Sequence, residues 1–126
     1  MRRNRIQYLK LRESARALVK ARLTHYNEHY QVPLRKIFIK NHKSRWGSCS
    51  EKGNLNFNYK IVLLEPELAD YIIVHELCHL KEFNHSPKFW AHMAQTLPNH
   101  KALRQQLREV EQKKEPPKLV WRLTWK

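Results

Sequence analysis

Between positions 75 and 85 the chain reads HELCHLKEFNH, which holds three of its eight histidines, with Glu76 wedged between two of them. His75 and His79 are four apart, so on a helix both rings project from one face, about one turn from each other, and can meet a single cation. Glu76 projects about 100° around the axis from His75, beside the position a water on that cation would take. Two neutral imidazoles and a carboxylate at this spacing are the parts of a hydrolytic metal centre. The five-residue pattern alone is too short to establish one.

His85 strengthens the reading. A catalytic zinc takes three protein ligands and keeps its fourth position for water or substrate. On an unbroken helix His85 would lie about 15 Å along the axis from His75, outside any ligand sphere. The helix must therefore end between them, and the residues that follow supply the break. Asn84 tolerates the left-handed conformation common just past a helix end, and Ser86-Pro87 forms an N-cap with proline at the first helical position. His85 is expected at the corner. Two readings compete with this one. In the first, the histidines cap a helix or fill a core near Trp90. In the second, a structural zinc is closed by a fourth ligand, Cys49 or Cys78; Cys78 is expected to point inward, away from the histidines.

The elements around this stretch can be read from period and punctuation. Leu11, Ala15, Leu18, Val19, Leu23 and Tyr26 recur at three and four within a segment from about Arg5 to Tyr30, the pattern of an amphipathic helix. His25 and His29 sit one turn apart on it, without a third ligand, and read as an exposed pair. After Pro33, residues 36–40 (KIFIK) read as a short strand, and a second strand follows Gly53, with Leu55, Phe57 and Tyr59 alternating with Asn56, Asn58 and Lys60. That alternation predicts one buried and one wet face. Pro66 opens a helix expected to run to about Phe83. Pro87 opens a helix carrying Phe89, Trp90, Met93 and Leu97. A last helix from His100 to about Lys114 presents Leu103, Leu107 and Val110 before Glu115-Pro-Pro117, and LVWRLTWK reads as a final extended segment.

A length of 126 residues predicts one domain over 1–126 with a modest core. There is no apolar run long enough to cross a membrane and no apolar signal segment behind the basic start, so a soluble, unexported chain is expected. Two cysteines in unrelated contexts favour a reducing cytoplasm over a disulfide scaffold. Twenty-five Lys and Arg against eleven Asp and Glu give a net charge of +14, a field that draws polyanions to any cleft.

The HELCH stretch is similar to the HExxH zincins, and the step from His79 to His85 matches metzincin spacing, although the metzincin glycine would fall on Glu82. The longer run SRWGSCSEKGNLNFNYKIVLLEPELADYIIVHELCHLKEFNHSPKFW, Ser44 to Trp90, resembles the YgjP-like metallopeptidase family, a relative of the SprT-like metalloproteases. The resemblance implies a small zincin-like α+β domain, with helices packed on a short sheet or hairpin and the HExxH on its active-site helix. It implies one zinc ion on His75, His79 and His85 and a catalytic Glu76. Nickel or another divalent ion also suits three imidazoles.

The chemistry expected is hydrolysis. Zinc lowers the pKa of a bound water to about 7 and polarises the centre under attack, while Glu76 takes the proton and later returns it to the leaving group. The segment HKSRWGSCSEKG is the loop expected to approach the substrate, since Gly47 permits close backbone contact and Arg45 suits an anionic group. Asn56 and Asn58 are candidates to hydrogen-bond an extended peptide. Three functions follow in order. The first is a zinc peptidase acting on peptides or proteins. The second, implied by the resemblance and favoured by the positive charge, is a UTP pyrophosphohydrolase on the same metal site. It ranks lower because two glycines, Gly47 and Gly53, make no phosphate-cradling loop. The third is a non-enzymatic module that binds nucleic acid through basic and aromatic side chains.

Overall fold

The computed structural model describes residues 2–41 and 45–113. It opens with α1 (Arg2–Tyr30), whose buried stripe is Ala15, Val19 and Leu23, with Leu11, Leu18 and Tyr26 packed at its margins. The helix stops at Gln31, a non-glycine residue at φ 55°, whose N–H bonds the Asn27 carbonyl at 2.8 Å. This left-handed residue is a helix C-terminal stop. The Asn27 amide then fixes the exit by accepting from the Val32 N–H and donating to the Val32 carbonyl, both at 3.0 Å.

Three strands form a mixed sheet in the order β1-β3-β2. β1 (Ile37–Lys40) lies parallel to β3 (Leu55–Asn58), with Ile37 opposite Leu55. β2 (Gly47–Cys49) lies antiparallel to β3, with Gly47 opposite Phe57. Strands form where they were expected, at 37–40 and 55–58, although the second ends at Asn58 before Tyr59 and Lys60. β2 falls within the polar loop expected ahead of Gly53, because three small residues carry no alternation. The turn that joins β2 to β3 uses Gly53 at φ 95°, and its carbonyl accepts from Arg35 N–H at 2.9 Å, which ties the turn to the approach of β1.

β3 also corrects the expectation of a wet asparagine face. Asn58 is fully buried. Its side chain donates to the Arg45 carbonyl at 3.1 Å and accepts from the Lys60 N–H at 2.9 Å, capping a 3₁₀ helix over Tyr59–Leu63. Asn56 is half-buried and donates to Ser48 Oγ at 3.1 Å across the β2–β3 pair. A buried amide with its hydrogen bonds made inside the fold serves the turn that follows the strand.

The central element is α2 (Pro66–His79), in which every residue from Leu68 to His79 except Asp70 is buried. A helix covered on all sides is a core helix. It packs on α1, on β2 and on both later helices, α3 (Pro87–Thr96) and α4 (His100–Lys113). Arg22 on α1 makes a fork to Asp70 at 2.9 and 3.0 Å, and Tyr26 donates to the same carboxylate at 2.9 Å. α2 ends four residues before the expected Phe83. Leu80 and Lys81 N–H groups bond the Leu77 and Cys78 carbonyls, each at 3.0 Å, so the last turn tightens to three-residue spacing and stops. Four helices on a three-stranded mixed sheet make the α+β architecture that was expected. The extended segment expected near the C-terminus lies outside the described residues.

Candidate metal centre

The early end of α2 lets the chain turn back. Ser86 caps α3 by accepting from the Phe89 N–H at 3.4 Å, and the corner residue His85 is carried against the face of α2 that holds His75 and His79. His85 Nε2 lies 3.1 Å from His79 Nε2 and 3.2 Å from His75 Nε2. His75 and His79 are fully buried and His85 half-buried.

These spacings test whether the three rings suit a cation. An imidazole Nε2 offers one in-plane direction, either an N–H or a lone pair, so His85 cannot hydrogen-bond well to two neighbouring Nε2 atoms at once. One cation facing all three lone pairs satisfies the group. Tetrahedral zinc at its usual distance from nitrogen separates its ligand atoms by about 3.3 Å, close to the spacings here. The other nitrogens agree with this. His79 Nδ1 lies 3.3 Å from the Glu82 carbonyl, which accepts from an Nδ1–H and leaves the Nε2 lone pair inward. Burial first, then the neighbouring His75, His79 and Arg104, push the His85 imidazole down to about 4. A neutral ring is the ligand form.

Glu76 is fully buried beside this cluster, its Oε2 3.5 Å from His75 Nδ1. β2 is packed directly on it. A Cβ added to Gly47 would lie 3.2 Å from Glu76 Cγ, 3.3 Å from its Oε2 and 3.1 Å from the Asn56 carbonyl oxygen. Gly47 was expected to bring backbone close to the substrate; the groups it approaches within the fold are Glu76 and the Asn56 carbonyl. Two residues along the same strand lies Cys49; burial first and then the Glu76 carboxylate push its thiol well above its usual range. Cys49 and Cys78 are both free thiols. The cluster of possible metal ligands among the described residues consists of the three histidines, without either cysteine.

Two aromatic residues complete the surroundings. Phe89, fully buried, has its ring centroid 5.1, 4.5 and 4.8 Å from those of His75, His79 and His85 and supports all three. Trp90 stacks on His85 at 5.7 Å with planes 26° apart. Sequence reading gave both residues only a packing role on α3. The signal that places them is the Ser86 cap, which starts the helix two residues past His85 and brings its first turn under the imidazoles. Of the remaining candidates, Arg45 is exposed with its carbonyl held by Asn58, and Asn56 and Asn58 are engaged within the sheet as described. Trp46 is fully buried and donates from Nε1 to Glu111 Oε2 at 2.9 Å, which pins α4 to the segment leading into β2. His25 is exposed on α1, and His29 pairs with Gln95 at 2.8 Å.

Comparison with solved structures agrees with this architecture. The chain is similar to the metallopeptidase zymogen abylysin of Pyrococcus abyssi, with 26% identity and a TM-score of 0.68 over 82% of this chain and 99% of that one. It is also similar to the metallopeptidase zymogen jannalysin of Methanocaldococcus jannaschii, with 28% identity and a TM-score of 0.57 over 76% of this chain and 93% of that one. No curated protein matches. The model of the YgjP-like metallopeptidase domain matches residues 2–110, which take in α1 to α3, the sheet, the histidine cluster and most of α4, and the chain belongs to the YgjP-like metallopeptidase family.

Proposed function

We propose that this chain hydrolyses peptide bonds with one zinc ion held by His75, His79 and His85 and with Glu76 as general base. The observation that carries the reading is the convergence of three Nε2 atoms, with spacings of 3.1 and 3.2 Å, beside a fully buried carboxylate. Bound zinc would supply Lewis acidity, polarising the scissile carbonyl and making water easier to deprotonate. The chain's own groups do the rest. Glu76 accepts a proton from the attacking water on its carboxylate and delivers it to the leaving nitrogen. The His75 ring lies 3.5 Å from that carboxylate and β2 packs on it at Gly47, while Phe89 packs against all three imidazoles.

The test has two arms. The purified chain is analysed for metal and then assayed on unfolded casein and on UTP, each with and without chelator. Chelator-sensitive proteolysis is expected. Chelator-sensitive phosphate release without proteolysis would replace this reading with the pyrophosphohydrolase, and steeply salt-dependent DNA binding without turnover would replace it with the nucleic-acid module. In the second arm Glu76→Gln should keep its zinc and lose activity, because the amide cannot take the proton; undiminished turnover would remove Glu76 from the mechanism.

A further inference from the structure

Trp90 belongs to two sites. One side of its surroundings is the histidine cluster; elsewhere its ring stacks on His100 at 5.3 Å with planes 18° apart, and the Arg104 guanidinium carbon lies 5.6 Å from its centroid. A cavity of about 520 Å³ opens here between α3 and α4, lined by Pro87, Trp90, Ala91, His100, Lys101 and Arg104. Its polar groups are an imidazole, an ammonium and a guanidinium, and none of the described residues lining it is acidic. Burial and the neighbouring Lys101 keep the His100 ring neutral; the ammonium and the guanidinium on an aromatic wall, in a recess, recognise an anion, and the flat fork of arginine matches the two oxygens of a carboxylate.

The recess lies within reach of the metal cluster. The stacking of His85 on Trp90 at 5.7 Å and the placing of Arg104 at 5.6 Å from the same ring put the guanidinium within about 11 Å of the His85 centroid. Extended peptide covers that span in about three residues. Phosphate-binding sites characteristically present backbone N–H groups from glycine-rich loops or helix starts; this lining holds no glycine, and of the helix starts it borders, Pro87 has no N–H and the His100 N–H bonds the Leu97 carbonyl at 3.0 Å, so recognition falls on the Lys101 and Arg104 side chains.

Building on the proposed peptidase activity, we propose that the cavity between α3 and α4 is a substrate subsite that takes a carboxylate through Arg104 and Lys101, about two or three residues from the scissile bond. The carboxylate comes either from an acidic side chain or from the C-terminus of a short peptide, and the two sources are separable.

The test is equilibrium binding by calorimetry, on the zinc-loaded full chain carrying Glu76→Gln so that no peptide is consumed. Three peptides of identical neutral sequence are compared: one with a single Glu and an amidated end, one without Glu but with a free C-terminal carboxylate, and one without Glu and amidated. One or both of the first two should bind about tenfold or more tightly than the third, and the tighter one identifies the source. Adding Arg104→Gln should abolish that advantage, whereas Arg104→Lys should keep part of it; circular dichroism confirms that the fold is retained. Equal binding of all three peptides overturns the subsite, as does binding of UTP with no carboxylate preference among the peptides. Proteolysis by the native enzyme with no acidic preference would leave the peptidase standing and sink the subsite. Carboxylate-selective, Arg104-dependent binding without any proteolysis would do the reverse.

Discussion

Replacing Gly47 by alanine tests the role of Glu76 without touching it. The added methyl carbon would sit 3.1 Å from the Asn56 carbonyl oxygen, 3.2 Å from Glu76 Cγ and 3.3 Å from Glu76 Oε2. Ordinary contacts begin at about 3.5 Å, so something must retreat by a few tenths of an ångström. The Asn56 carbonyl belongs to a paired strand, and the Glu76 side chain is the softer neighbour, though buried. Overpacking of this kind costs roughly 2 kcal/mol, offset by about 0.5 kcal/mol from the reduced freedom of the unfolded chain. At about 2.1 cal/mol/K per residue, the unfolding entropy of 126 residues converts the remaining ~1.5 kcal/mol into a Tm about 6 °C lower. A misplacement of 1 Å at a reacting group costs on the order of a hundredfold in rate, so a shift of a few tenths should lower kcat by about threefold to tenfold. Peptide hydrolysis gives kcat, calorimetry gives Tm, and chelator competition gives zinc affinity, which should stay unchanged because the imidazoles are not pushed. A variant with native kcat and a depressed Tm would show that Glu76 need not be held where β2 holds it, and the reasoning would fail.

Other changes probe the same arrangement. His85→Ala should weaken zinc binding by at least about a hundredfold, since two imidazoles on one helix remain; retention of metal in the same competition assay would exclude His85 as a ligand. Trp46→Phe removes the Nε1 donor to the buried Glu111 and should cost about 1–3 kcal/mol in denaturant unfolding; an unshifted midpoint would show that this bond does not hold α4. Because burial and the Glu76 carboxylate raise the Cys49 thiol, thiolate is scarce at pH 8 and accumulates only at higher pH. Iodoacetamide should therefore modify Cys49 at least about tenfold more slowly in the folded chain than in guanidinium. Equal rates by mass spectrometry would place the thiol in water instead.

Much of the metal centre was legible because its logic is local. Helical period fixes the relation of His75 to His79, and Ser86-Pro87 announces the corner that returns His85, each signal spanning at most a few residues; Asn84, expected in the left-handed region, is not among the described residues with positive φ. What stayed hidden depends on distant pairs. Gly47 meets Glu76 through the β2–β3 pairing, and a strand of three small residues leaves no hydrophobic period to find. Asn58 looked like a wet residue by alternation, but the 3₁₀ turn that follows it needs a cap, and that demand outranks the strand pattern. Trp46 finds Glu111 at a separation of 65 residues, beyond any window that propensity can use. The helix expected to reach Phe83 stops at His79 because its last carbonyls close into shorter rings, a choice that composition alone does not dictate.

The capped turn at Ser86 has a thermodynamic consequence. One short stretch carries the third imidazole at position 85 and the ring at 89 that packs on all three, so an ion held by the cluster would favour the seated form of that stretch and raise the melting point by mass action. A chelator should accordingly do more than silence the chemistry: hydrogen exchange across residues 85–97 should quicken, while the long first helix stays as protected as before.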